Sequence, residues 1–153
     1  MIVQVWRHAM ESRLGKVVVA CDSPEIKTAI EVVGGVAILT DPNLPSGSDR
    51  IFAALTQIDP DKMYDVVINV QGDMPTLDPA IIRHAAELLA TAGVDIGTLA
   101  AKITDEAEIS DPAVVKVVTG RQSLVASTLG MVSTVTAISF SRIAKGEAPY
   151  FHH

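Results

Sequence analysis

Within its first seventy residues the chain alternates short β-branched runs with stretches of helical period, and a cap or breaker marks each change. Residues 16–20 read KVVVA, a strand. Asp22-Ser23-Pro24-Glu25 then opens a helix, with Ser23 as N-cap and Pro24 at the first helical position, where a missing N–H does no harm. That helix runs to about Val33, where Gly34-Gly35 can take the positive φ of a helix C-terminus. Residues 36–39 form a second strand and 40–45 a turn with two prolines. Ser46-Gly47-Ser48-Asp49 caps a helix to about Ile58, and residues 66–70 make a third strand. Strands and helices in this rhythm predict βαβ units, so we read residues 1–153 as a single α/β domain, a sandwich with a mainly parallel sheet covered by helices.

The flanks fit the same scheme. Ile2, Val5, Trp6 and Met10 recur at helical spacing, predicting an amphipathic helix over residues 1–13. Asp78-Pro79 opens a helix to about Ala92, stopped by Gly93. Residues 96–102, 114–118 and 133–140 read as later strands, with a short acidic helix near 105–109. Residues 119–133 show no clear period. His8 and His84 fall in helical segments and read as surface or boundary side chains.

Composition removes several function classes. A net charge of −6 leaves no basic face for a nucleic-acid polymer. Cys21 is the only cysteine, so no intrachain disulfide can form, a zinc cluster is not expected, and a cytoplasmic setting is the default. The weakly polar stretch 123–140 is broken by Ser, Thr and Gly, and no membrane span is expected. Arg7, His8, Glu11 and Arg13 interrupt any signal-peptide pattern.

In open parallel sheets ligands sit beyond the C-terminal ends of the strands, so the loops after the strands are where chemistry is expected. Gln71-Gly72-Asp73 ends the third strand. Asp73 could give Mg²⁺ a hard oxygen ligand, Gly72 could let a ligand approach the backbone, and Gln71 could hydrogen-bond a base or hydroxyl. The same three residues also suit an ordinary solvated turn. Ser46, Gly47 and Arg50 lie at a helix N-terminus, where exposed N–H groups and a guanidinium favour anions; a plain cap explains the segment equally well. Asp22 and Ser23 read as capping residues. No phosphate loop of Walker or dinucleotide-binding spacing occurs, and nothing marks Cys21 as an activated nucleophile.

The stretch VVINVQGDMP resembles the V-x-N-V-Q-G-D-E-P block of the 3-deoxy-manno-octulosonate (Kdo) cytidylyltransferases. Further blocks agree in order. MIVQVWRHAMESRLGKVVVACDSPEI is similar to that family's first helix and its V-V-V-A-T-D strand. SGSDRI resembles S-G-T-(D/E)-R-(I/L), DPAVVKVV resembles N-P-N-x-V-K-V-V, FSR resembles Y-F-S-R, and YFHH the start of an H-x-G-x-Y-x-Y block. The likeness covers nearly the whole chain.

The resemblance implies a nucleotide-diphospho-sugar transferase fold, a Rossmann-like three-layer sandwich. It also implies a reaction in which Kdo attacks the α-phosphorus of CTP to give CMP-Kdo and pyrophosphate for lipopolysaccharide assembly, with Mg²⁺ required. By the same likeness Asp73 is the Mg²⁺ ligand, Gln71 contacts Kdo, and Ser46, Gly47 and Arg50 help form the cytidine pocket. Arg142 and His152 line the Kdo side, and the protein is a homodimer. The family's opening strand with its P-A-R-x-x-S-x-R-L-P-G-K loop has no counterpart here, nor has its later segment with a second acidic ligand. On that reading the chain is the middle of the enzyme and is expected to be inactive at this length. A different sugar nucleotidyltransferase of the same fold, or a non-catalytic nucleotide-binding or dimerisation module, stays open as an alternative.

Overall fold

A computed structural model describes residues 1–127, 130–144 and 151–152, in two compact units, Met1–Ala86 and Glu87–His153. The first unit holds α1 (Ile2–Glu11), β1 (Val18–Cys21), α2 (Pro24–Val32), β2 (Val36–Leu39), α3 (Gly47–Ile58) and most of α4 (Pro79–Glu87). Helical spacing puts Val5 and Ala9 of α1 on a buried face. The helix stops at Ser12, whose hydroxyl donates to the Ala9 carbonyl at 2.6 Å, and Arg13 turns the chain with a φ of 57°. In α2 the Ser23 side chain accepts from the Ile26 N–H at 3.3 Å, and Gly34 closes the helix at a φ of 82°.

β1 and β2 pair in parallel, from Val18 opposite Val36 to Cys21 opposite Leu39. Their buried positions Cys21 and Ala37 meet Ile30 of α2, with Ile2, Trp6 and Val19 packed around them. Ile30 is 0% exposed, a burial that contributes roughly 1.5–3 kcal/mol.

The expected third strand does not form. Residues 66–70 enter no ladder, and Val66 and Val67 stay 45% and 47% exposed. The run lines a cavity of about 670 Å³ that residues 17–20 also line, and β1 pairs with β2 alone. The edge of β1 away from β2 and the 66–70 run thus share an opening, not hydrogen bonds. The turn before the run is built locally: the Asp59 carboxylate accepts from the N–H groups of Met63 (2.7 Å) and Tyr64 (3.0 Å).

The second unit contains β3 (Ala101–Lys102), α5 (Glu106–Ser110), β4 (Lys116–Ser127), β5 (Gly130–Ser141) and β6 (Phe151–His152). The four strands form one antiparallel sheet in the order β3-β6-β4-β5, so among the described residues parallel pairing is confined to β1 and β2. The expected strands 114–118 and 133–140 lengthen into the two arms of a hairpin and absorb most of 119–133. The ladder shifts register between Val118 and Thr119 and again between Thr119 and Gln122. Such bulges break the alternation from which a strand is read, here over 118–122, while from Gln122 to Ser127 the ladder stays in register with β5. The strand expected over 96–102 shrinks to two residues. α4 gives way after Glu87 to a 3-10 turn, Leu88–Ala90, and Gly93 follows with a φ of 79°. His84 is buried, not at the surface.

The tightest backbone approach is at Gly35, where an added Cβ would lie 2.6 Å from Ile30 Cγ2, 3.0 Å from Trp6 and 3.1 Å from the Ile30 carbonyl. Gly35→Ala is expected to destabilise the chain by about 1–3 kcal/mol, read as a lower urea midpoint at unchanged slope.

Candidate active site

The register of β1 against β2 sets Asp22 and Thr40 side by side, one residue beyond each strand. Thr40 is fixed there by two bonds to the Cys21 carbonyl, from its N–H at 2.9 Å and from its hydroxyl at 3.1 Å. Arg50, in the first turns of α3, reaches both residues. Its Nη2 lies 2.8 Å from the Asp22 carboxylate, and its Nη1 donates to Thr40 Oγ1 at 2.7 Å and to the Asp41 carbonyl at 3.5 Å. Asp22 is therefore an ion-pair partner rather than a cap; Ser23 alone does the capping.

Ser46 is the N-cap of α3. It accepts from the Asp49 N–H at 3.2 Å while its hydroxyl donates to the Asp49 carboxylate. The N–H groups of Gly47 and Ser48 keep no hydrogen-bond partner among the described residues, as expected at the start of a helix. Asp49 already complements the helix dipole, so this end attracts anions less than its cap sequence suggested.

Gln71, Gly72, Gly47 and Arg50 line the same cavity of about 670 Å³. The structure thus brings together three residues singled out in sequence, Gln71, Gly47 and Arg50. Ser46 and Asp73 are exposed and do not line it. Gly72 has a packing reason of its own: a Cβ there would sit 3.1 Å from Ile2 Cδ1 of α1.

Asp73 stands in the turn after the 66–70 run, and no cluster of three or more His, Cys, Asp or Glu side chains exists among the described residues. One exposed carboxylate suits Mg²⁺, which binds through one or two carboxylates, keeps several waters and takes its other oxygens from phosphates.

Arg142 and His152 belong to the second unit. Arg142 donates through Nη1 to the carbonyls of Pro112 (2.9 Å) and Ala113 (3.4 Å). Lys116, which the sequence reading passed over, connects the two. It is 1% exposed, its ammonium donates to the carbonyls of Asp111 and Arg142, and it lies opposite His152 in the β4–β6 ladder. A lysine between valines in VVKVV was the available signal, since a buried ammonium must find acceptors.

Burial pushes the Cys21 thiol above its ordinary value of 9.0; the Asp22 charge adds to this, while a Ser23 backbone hydrogen bond and Arg50 oppose it. Its Sγ donates to the Ile38 carbonyl at 3.7 Å.

An α/β scaffold with polar groups gathered at its strand ends defines a class of ligand-binding protein, and the comparisons narrow it. The family model for cytidylyltransferases matches residues 1–142. The chain belongs to the cytidylyltransferase family. It is 50% identical to 3-deoxy-manno-octulosonate cytidylyltransferase of Parvibaculum lavamentivorans, across 100% of this chain and 57% of that one. The corresponding protein of a Methylobacterium species is also 50% identical, across 100% of this chain and 60% of its own length. Among solved structures, CMP:2-keto-3-deoxy-manno-octonic acid synthetase complexed with CTP superposes with a TM-score of 0.75 at 28% identity, over 99% of this chain and 59% of that one. The chain thus spans just under three-fifths of the length of these relatives.

The Cys21 thiol is expected to react with Ellman's reagent at pH 8 at least tenfold more slowly in the folded chain than in urea; equal rates would refute its burial. Because folding favours the protonated thiol, its contribution to stability holds below pH 9 and is lost as the pH rises beyond that.

Proposed function

We propose that the chain acts as a cytidylyltransferase that activates Kdo with CTP. The anomeric hydroxyl oxygen of Kdo forms a bond to the α-phosphorus of CTP, the bond to pyrophosphate breaks, and the hydroxyl proton is lost to solvent. The observation that carries this reading is the 50% identity, along its entire length, to proteins of that activity. The cavity shared by Gln71, Gly47 and Arg50 supports it: Gly47 and Arg50 lie at the helix start that follows β2, and Gln71 follows the 66–70 run that faces β1 across the cavity.

In this reading Ser46, Gly47 and Arg50 serve the nucleotide. The N–H groups of Gly47 and Ser48 and the Arg50 guanidinium offer donors that a cytidine or phosphate oxygen can accept. Gln71 offers an amide to Kdo; the assignment of Arg142 and His152 of the second unit to Kdo rests on the family likeness alone. Asp73 holds Mg²⁺, which when bound supplies charge neutralisation to the phosphates. The Asp22 carboxylate 2.8 Å from Arg50 offsets its charge, so Arg50 alone does not supply that neutralisation.

The product is committed to lipopolysaccharide assembly in the cytoplasm, and a homodimer is part of the reading. Ile138 and Phe140, two apart on β5 and 69% and 50% exposed, provide apolar surface for a second copy. For the first unit the reading carries the three-layer nucleotide-diphospho-sugar transferase sandwich with a mainly parallel sheet, supported by the parallel β1–β2 pair.

The test is release of pyrophosphate from CTP, dependent on both Kdo and Mg²⁺, by the chain extended to the full length of its relatives, of which it spans about three-fifths. Asp73→Asn is expected to abolish it with the fold intact by circular dichroism; near-normal release would remove Asp73 from the metal. Arg50→Ala is expected to weaken CTP binding about 10–100-fold, the loss of one or two hydrogen bonds from a charged donor. Unchanged affinity by calorimetry would remove Arg50 from the nucleotide.

A further inference from the structure

Arg50 is committed before any ligand arrives. Three of the five N–H donors of a guanidinium are accounted for by Asp22, Thr40 and the Asp41 carbonyl, which leaves two for a ligand. Thr40 is itself polarised by its neighbours. Its one hydroxyl hydrogen goes to the Cys21 carbonyl, so an oxygen lone pair faces Arg50. The arginine side chain is only 18% exposed, while that of Asp22 is 43% exposed. A carboxylate 2.8 Å away offsets the guanidinium charge.

We propose that Asp22, assisted by Thr40, is a positioning residue that fixes the plane of the Arg50 guanidinium, so that Arg50 serves its ligand as an oriented pair of donors and not as a net positive charge. This rests on the reading above in placing CTP beside Arg50. The fold builds the arrangement directly. Parallel pairing of β1 with β2 puts Asp22 and Thr40 at one level, and the turn 40–45 returns α3 so that Arg50 meets both. A planar fork gains from such orientation because fewer side-chain states must be given up when the ligand binds.

The two roles open to Asp22 predict opposite signs. If Asp22 only neutralised Arg50, its removal would leave the site more positive and CTP would bind more tightly. If Asp22 orients Arg50, Asp22→Ala weakens CTP binding. We expect a loss of about 5–20-fold, the order of one charge-assisted hydrogen bond. Asp22→Asn, which keeps an acceptor oxygen but no charge, is expected to recover most of the loss. In an Arg50→Ala background, Asp22→Ala is expected to have no further effect.

A second readout needs no nucleotide. In the full 153-residue chain labelled with ¹⁵N, the Arg50 Nη groups are expected to show hindered rotation, lost in Asp22→Ala and kept in Asp22→Asn, with an unchanged backbone spectrum reporting the fold. Arg50 signals indifferent to Asp22→Ala, or CTP binding tightened by it, would overturn the proposal. Failure of the unaltered chain to bind CTP would instead count against the proposed function, while the Nη comparison would still decide whether Asp22 orients Arg50.

Discussion

Arg50 joins the ends of two strands to the start of a helix, and the candidate site takes its shape from that junction. A guanidinium can do this because its donors lie in one plane and point outward, so a single side chain can hold acceptors from separate segments. Here the acceptors are a carboxylate after β1, and a hydroxyl and a carbonyl after β2. Neither strand exceeds four residues, and each is paired on one side only. Backbone hydrogen bonds in so short a ladder leave its ends free to splay. The arginine works where the ladder stops, and it is less exposed than its carboxylate partner. That asymmetry gives the pair more value than a fully exposed ion pair, whose contribution is typically under about 1 kcal/mol.

How much of this was legible in the sequence depends on the range of the interaction that fixes each element. Ser23 and Pro24, Ser46 and Asp49, and Gly34 act within a few residues, and their helices begin and end where those residues indicated. The 36–39 strand was legible because its β-branched residues sit between two such signals. The 66–70 run has the same composition but depends on a neighbour to pair with, and composition does not reveal whether one is present. The β4–β5 hairpin failed in the opposite direction. Its long arms are held by cross-strand pairing, which has no local signature, and two register shifts over 118–122 add to the irregularity.

The site follows the same rule. Gln71, Gly47 and Arg50 were singled out because residues at strand ends and helix starts carry accessible polar groups, and the cavity gathers those three. Asp22 was misread as a cap because its role needs a residue 28 positions away, a separation with no local signature. Lys116 was passed over for a related reason. Its acceptors are backbone carbonyls, and any residue can supply a carbonyl. Partners of that kind leave no trace in side-chain chemistry.

Charge connects these points to the reaction. In the proposed function the site must bring a triphosphate and a sugar acid together, two anions that repel. At this corner the Asp22 carboxylate, 2.8 Å from the Arg50 guanidinium, offsets its charge. Attraction of phosphate by the net charge of Arg50 is weakened accordingly. In the proposed function Arg50 provides oriented donors, and neutralisation of the phosphates falls to other groups. Hydrogen bonds of fixed direction discriminate between ligands of similar charge better than a mobile cation does, because a ligand that cannot match them leaves partly buried donors unpaired. An arginine whose charge is already offset suits recognition of a nucleoside more than capture of a triphosphate, and the Asp22 partner that would be a fault in an anion trap becomes consistent with such a task.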